Sequence, residues 1–141
     1  MYYEINEVDG ILNRETLEAF NALDPYFPPL EDRHFVNGFW WLVHKETDLV
    51  AFAGLVPFVP VEKYGYLKRC LVKPGHFGHG LQFRLMCVRE TKARQLGFTH
   101  LVSECLEENT YSAANFRRAG FVQTFPEQPW AKDSLFWLKK L

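Results

Sequence analysis

The sequence predicts a single domain of mixed α/β class, with a central, mostly antiparallel sheet of six or seven strands flanked by about four helices. Three observations carry this. Apolar residues recur with a period near two in some segments and near three and a half in others. Strand-prone runs come first as a meander, and strand and helix alternate after it. No internal repeat, low-complexity run or linker interrupts the 141 residues, so one domain over 1–141 is the simplest division. A chain of that size buries roughly 70% of the surface its unfolded form exposes.

Residues 2–6 read as a first strand. Residues 11–23 follow as a helix, because Ile11, Leu12, Leu17, Phe20 and Leu23 fall at the spacings of an amphipathic face. Asp24-Pro25 ends it, since the residue before proline is pushed out of helical conformation. The proline-rich, then acidic stretch 25–37 predicts a loop and a short second helix. Residues 39–44 and 49–59 are β-prone runs joined by a hairpin turn at Lys45-Glu46-Thr47-Asp48. Residues 65–73 form the next strand, stopped by Pro74-Gly75. From Gly80 the period turns helical: Leu81, Leu85, Val88 and Lys92 lie along one side, with Met86, Ala93 and Leu96 beside it, and Gly97 stands where a helix C-terminal glycine belongs. Residues 98–106 return to strand and 110–119 to helix, and 121–125 and 135–141 supply two closing strands.

The formal net charge of -1 provides no general field that would draw the chain onto nucleic acid or an anionic membrane. Cys70, Cys87 and Cys105 are an odd count at no metal-ligand spacing, which reads as reduced thiols in a cytoplasmic protein. The first residues lack a basic region followed by an apolar run, and about eighteen apolar residues never occur together, so neither export nor a membrane span is expected. The aromatic share of 16% is high and suits a packed core or a pocket lined with rings.

The most informative segment is Leu71-Val72-Lys73-Pro74-Gly75-His76-Phe77-Gly78-His79-Gly80-Leu81, a strand, a glycine-rich turn and a helix start. Such a turn directs free backbone N–H groups outward at the positive end of the helix dipole, and glycines leave room for a phosphate to approach them. The same residues also suit a plain tight connection. A dinucleotide fingerprint is disfavoured, because it wants three glycines after the first strand and this turn lies mid-chain.

This segment resembles the phosphate loop of the GNAT N-acetyltransferase superfamily, in which a strand ending Val-x-Pro leads into Arg/Gln-x-x-Gly-x-Gly/Ala. Val72 and Pro74 match, and Phe77-Gly78-His79-Gly80-Leu81-Gln82 occupies the six loop positions. Gly80 fits, while Phe77 and Gln82 depart from the pattern. A second block, Glu104 followed by Asn109, a helix and Ala119-Gly120-Phe121, resembles the family's next motif. Residues 49–55 are like the strand preceding the cofactor strand. The likeness covers 50–140, and the first fifty residues only in the order of elements.

The resemblance implies that Cys70, Leu71 and Val72 offer backbone groups to the pantetheine arm of acetyl-CoA, that the loop amides from Phe77 to Gln82 hold its pyrophosphate, and that Asn109 contacts the pantetheine. It implies acetyl transfer to a primary amine of a small molecule or peptide by direct attack, and it admits a homodimer. Glu104 is the candidate base, or else a surface carboxylate paired with a neighbouring Lys or Arg. Where some members carry a proton-donating tyrosine, this sequence has Phe116, which leaves Tyr111, water or no acid. The acceptor pocket falls to residues 24–32, 39–41 and 130–137, with Tyr26, Phe27 and Trp40 as candidate contacts, or as residues that close the core. Lys68 and Arg69 either meet the phosphates or edge the sheet. His76 and His79 have a spacing a metal could use, but nothing nearby completes a ligand set, so no metal is expected. Two rivals stand beside this reading: a GNAT-fold acyl-CoA binder with little amine acetylation, and an interaction module whose glycine turn is only structural.

Overall fold

A computed structural model describes residues 2–141. The chain runs β1 (Glu4–Val8), α1 (Arg14–Asn21), α2 (Asp32–Val36), β2 (Phe39–Lys45), β3 (Asp48–Pro57), β4 (Tyr64–Val72), α3 (Leu81–Gln95), β5 (His100–Leu106), α4 (Thr110–Arg118), β6 (Val122–Thr124) and β7 (Ser134–Lys140). Among the described residues the strands form one seven-stranded sheet in the order β1-β2-β3-β4-β5-β7-β6. Neighbours are antiparallel except β4 and β5, which are parallel. That single parallel pair exists because α3 carries the chain back between them.

Both faces of the sheet are covered. On one face Trp41, Val43, Ala51, Ala53 and Leu55 pack with Leu85 and Met86 of α3 and Phe116 of α4. On the other, Trp40, Leu42, Phe52 and Val56 pack with Leu17 and Phe20 of α1 and Phe35 of α2. This two-sided burial explains why β2 and β3 read as continuous apolar runs rather than alternating ones. No helix among the described residues is long and apolar enough to cross a membrane.

Three elements differ from expectation. The first helix starts only at Arg14, because the Asp9 carboxylate accepts the N–H groups of Ile11 and Leu12 at 2.8 and 2.9 Å and bends the chain into a turn, leaving both side chains exposed. On α3 the buried face is Leu81, Leu85, Met86, Arg89 and Ala93. Lys92 sits at its margin, paired with Glu7 at 3.1 Å. The strand expected over 121–125 shortens to Val122–Thr124 at the sheet edge.

Candidate active site

Beta4 and β5 pair over only three positions, Tyr64–Tyr66 against His100–Val102. Just beyond, the Ser103 hydroxyl donates to Leu67 O at 3.0 Å, and the strands then part. The gap is a cleft of about 840 Å³, lined by Leu67, Cys70, Leu71 and Val72 on one side and by Ser103, Glu104, Cys105 and Leu106 on the other. Over Cys70–Val72, β4 pairs with β3 alone, so its other edge faces the cleft. Burial pushes the Cys70 and Cys105 thiols up, which keeps them neutral, apolar parts of that wall.

The divergence is held by a bulge. Ala53 pairs with Cys70 and Gly54 with Lys68, which leaves Arg69 as the extra residue, at φ 60°. Arg89, 2% exposed, reaches it from α3: its Nη1 donates to Gly54 O at 3.0 Å and to Arg69 O at 3.1 Å. A buried guanidinium thus satisfies carbonyls that the irregular ladder displaces. Sequence reading missed Arg89, since a charged residue at helical spacing is ordinarily assigned to the solvent face.

At one end of the cleft lies the glycine turn. Gly75, Gly78 and Gly80 have φ of 93°, 81° and 70°, and nothing lies within 4 Å of where a Cβ would stand on any of them. The space in front of this backbone is open to a ligand. The first hydrogen bond of the 15-residue α3 is Arg84 N–H to Gly80 O, so the amides of Leu81, Gln82 and Phe83 have no intrahelical partner. The turn is braced by Tyr3, just before β1: its Oη lies 3.0 Å from His76 Nδ1 and its ring packs on His79 at 5.4 Å. Phe77 is 65% exposed at the rim. Gln82 turns its side chain away, donating to Ser112 Oγ at 2.9 Å and accepting from Asn115 Nδ2 at 2.8 Å, so it ties α3 to α4. Asn109 also lines the cleft, while its Oδ1 accepts Ser112 N–H at 3.0 Å and caps α4. An anionic group with a long thin arm fits this end: free amides at a helix start, room before the glycines, and an open strand edge leading inward.

At the other end stands Glu104. The Tyr66 hydroxyl donates to its carboxylate, lying 2.7 Å from Oε2, and Trp130 Nε1–H donates to Oε1 at 2.8 Å. Burial, then the charge of Glu104, pushes the Tyr66 phenol up, so it stays a donor. Tyr26 and Phe27 line the cleft here with Asp24. Tyr66 was not singled out from the sequence; its signal is the pairing of Tyr66 with Val102, two residues before Glu104 on the same face of β5.

Two sequence assignments are corrected. Trp40 is fully buried, stacked on Phe52 over Gly54, with Nε1–H donating to His34 O at 3.0 Å. It fills the core and does not line the cleft, because β2 lies two strands away from β4. Lys68 and Arg69 stand where β4 has parted from β5, and their side chains are held away from the turn. Lys68 Nζ lies over the Tyr66 ring, and Arg69 bonds Asn21 and Pro28 beside α1, so both belong to the Glu104 end. Phe116 is buried between Phe121 and Trp137, and Tyr111 is 56% exposed on the rim.

The fold is similar to that of several solved acetyltransferases. One from Bacillus subtilis, in complex with CoA, superposes with a TM-score of 0.77 at 14% identity, covering 99% of both chains. The ribosomal-protein-alanine N-acetyltransferase of Brucella melitensis gives 0.75 at 21% identity, over 98% of this chain and 99% of that one. The IAA acetyltransferase of Bacillus cereus gives 0.74 at 13% identity, over 99% and 100%. No curated protein matches the chain in sequence. The sequence profile of the Acetyltransferase (GNAT) family matches residues 5–121, from β1 through α4 to Phe121, and so takes in both ends of the cleft. The chain belongs to the GNAT acetyltransferase family.

Proposed function

We propose that this chain is a cytoplasmic N-acetyltransferase that moves the acetyl group of acetyl-CoA to a primary amine by direct attack. The observation that carries the reading is the cleft between β4 and β5, with free amides at one end and an oriented carboxylate at the other. Acetyl-CoA, when bound, supplies the thioester carbonyl that the amine attacks. The turn from Phe77 to Gly80, with the amides of Leu81 and Gln82, would hold the pyrophosphate. The open edge at Cys70, Leu71 and Val72 would receive the pantetheine arm, together with Asn109. Glu104 takes the proton of the incoming ammonium, directly or through water, and Tyr66 and Trp130 fix the carboxylate for that task. Phe116 has no hydroxyl, so we assign the proton of the departing thiolate to water rather than to the exposed Tyr111.

The Brucella protein acts, by its name, on an alanine of a ribosomal protein, which makes a peptide N-terminus one acceptor class to test beside small amines. A CoA binder with little amine acetylation is the second reading, and the apolar Phe116 is what favours it. The deciding measurement is the thermal midpoint with CoA and acetyl-CoA beside ATP and NAD controls, followed by an acceptor screen. Stabilisation by about 2.7 kcal/mol at a hundredfold excess over Kd is expected for the thiol cofactors alone. No shift with either would overturn both readings, and a shift with no turnover on any amine would leave the second.

A further inference from the structure

Side chains alternate between the two faces of a regular strand, so adjacent residues 68 and 69 ought to point apart. The bulge breaks this alternation. Lys68 lies with its Nζ 5.5 Å from the centre of the Tyr66 ring. The guanidinium of Arg69 reaches the α1–α2 segment, donating to Asn21 Oδ1 at 2.8 Å and Pro28 O at 3.0 Å over the Phe27 ring. Two neighbouring cations therefore share the face on which Tyr66 holds Glu104.

Neither has an anionic partner among the described residues. The hydrogen-bond partners of Arg69 are neutral oxygens, and the carboxylates of Glu104 and Asp24 act on it only through space. Among the described residues the Lys68 ammonium has no hydrogen-bond acceptor, although it is half-buried. Burial first, then the like charge of Arg69, pushes it down to about 8, and it is still charged at neutral pH. Of the acids nearby, Glu31 and Asp32 are ion-paired elsewhere, while Asp24 and Glu104 are held by neutral donors and make no ion pair with either cation. Arg33 takes Glu31 at 2.8 Å, Arg14 takes Asp32 at 2.6 Å, and Asp24 accepts Tyr26 N–H at 2.9 Å. Glu104 is held by Tyr66 and Trp130. Withdrawing a cation from water without a partner is unfavourable, and an anion brought by the ligand would offset that cost.

We propose that Lys68 and Arg69 form an anion subsite of the acceptor pocket, and that the acceptor is an amine bearing a carboxylate: its nitrogen goes to Glu104 and its carboxylate to the paired cations. This rests on the acetyltransferase reading given above. The carboxylate comes either from a free amino acid or from an acidic side chain near a peptide N-terminus, and the bulge supplies the same two donors for each.

The test uses acceptors in matched pairs that differ only in that charge. Free amino acids are compared with their amides, and dipeptides starting with aspartate with those starting with asparagine. With the wild-type protein, kcat/KM is expected to favour the charged member of at least one pair series by about tenfold or more, and the series that shows it identifies the source. In Lys68→Met the charged-to-neutral ratio is expected to fall about tenfold, and in Lys68→Arg to be retained. A ratio is unaffected by a general loss of folded enzyme. Equal use of both members by the wild type, or an unchanged ratio in Lys68→Met, overturns the subsite. The same pairs are titrated as thermal shifts with CoA present. Selective stabilisation by the charged members without turnover keeps the subsite and overturns the transfer reading, whereas no selectivity in either assay overturns the subsite itself.

Discussion

The two ends of the cleft are built from different material. Where the turn meets α3, the polar groups left free for a ligand are main-chain amides, and the polar side chains there are engaged within the protein: Gln82 with α4, His76 and His79 with Tyr3. Around Glu104 the cleft is lined by side chains of β4 and β5, namely Tyr66, Arg69 and Glu104, with Trp130 of the loop before β7 bonded to Glu104 and Lys68 lying over the Tyr66 ring. A main-chain site tolerates changes of residue that keep the backbone path, which is how Phe77 and Gln82 stand in a loop that ordinarily carries other residues. A side-chain site has no such tolerance. The largest expected effect therefore lies at Glu104. Glu104→Gln keeps acceptors for Tyr66 and Trp130 but removes the base, and kcat is expected to fall about 10²–10⁴-fold, with acetyl-CoA binding retained by calorimetry. An active Glu104→Gln would remove the carboxylate from the chemistry and erase the contrast.

The converse substitution is Gly80→Val. At φ 70° a β-branched residue is strained although no atom obstructs it, so the change acts on the backbone path rather than on packing. CoA affinity is expected to drop roughly a hundredfold, about 2.7 kcal/mol, while the circular dichroism spectrum stays that of the folded protein. Unchanged affinity would mean that the turn is only a connection.

This contrast also sets what was legible in the sequence. Val72, Pro74, Gly78 and Gly80 act through local backbone geometry, so they located the turn, and the helical period after Gly80 located α3. Most of the sheet was equally readable, because β-prone runs and their turns are local. The acceptor end was read only through Glu104. Its partners are set by the pairing of β4 with β5 and by the path of the loop that brings Trp130 back, both remote in sequence. The bulge at Arg69 and the buried Arg89 that holds it lack a local signature, and helical periodicity put Val88 and Lys92 in the row with Leu81 and Leu85, whereas the buried face takes Arg89 and Ala93. Ile11 and Leu12 misled in the opposite way, since helical spacing without a helix start extended α1 past the Asp9 turn.

Between the two ends, α3 and α4 are tied by the amide of Gln82. Gln82→Ala leaves Ser112 Oγ and Asn115 Nδ2 without these partners in a part-buried place, and is expected to cost about 1–2 kcal/mol in urea unfolding without cofactor. A neutral result would show that the helix start is held by packing of Leu81 and Leu85 alone.

The smallest effect separates the ends by pH. His34 of α2 is buried on the acceptor face, and its Nδ1 accepts the Glu31 N–H at 3.0 Å, which requires a neutral ring. Burial first, then the charges of Lys68 and Arg33, with Arg69 a lesser contribution, holds it down at about 4, against the pull of Glu31. In the unfolded chain the same group titrates near its ordinary 6.5. Between these values the unfolded state binds the additional proton, so His34 contributes stability that is present above about 6.5 and lost as pH falls toward 4. The loss is expected to be on the order of 1 kcal/mol, a few degrees in the unfolding midpoint. His34→Gln, which keeps an acceptor for Glu31 but carries no proton to gain, is expected to flatten that slope. The amides of the turn do not titrate in this range, so Gly80→Val is expected to leave the slope as it is. A slope equally steep in His34→Gln would trace the acid sensitivity to other groups, Glu31 among them, whose carboxyl the Arg33 guanidinium holds below the usual range.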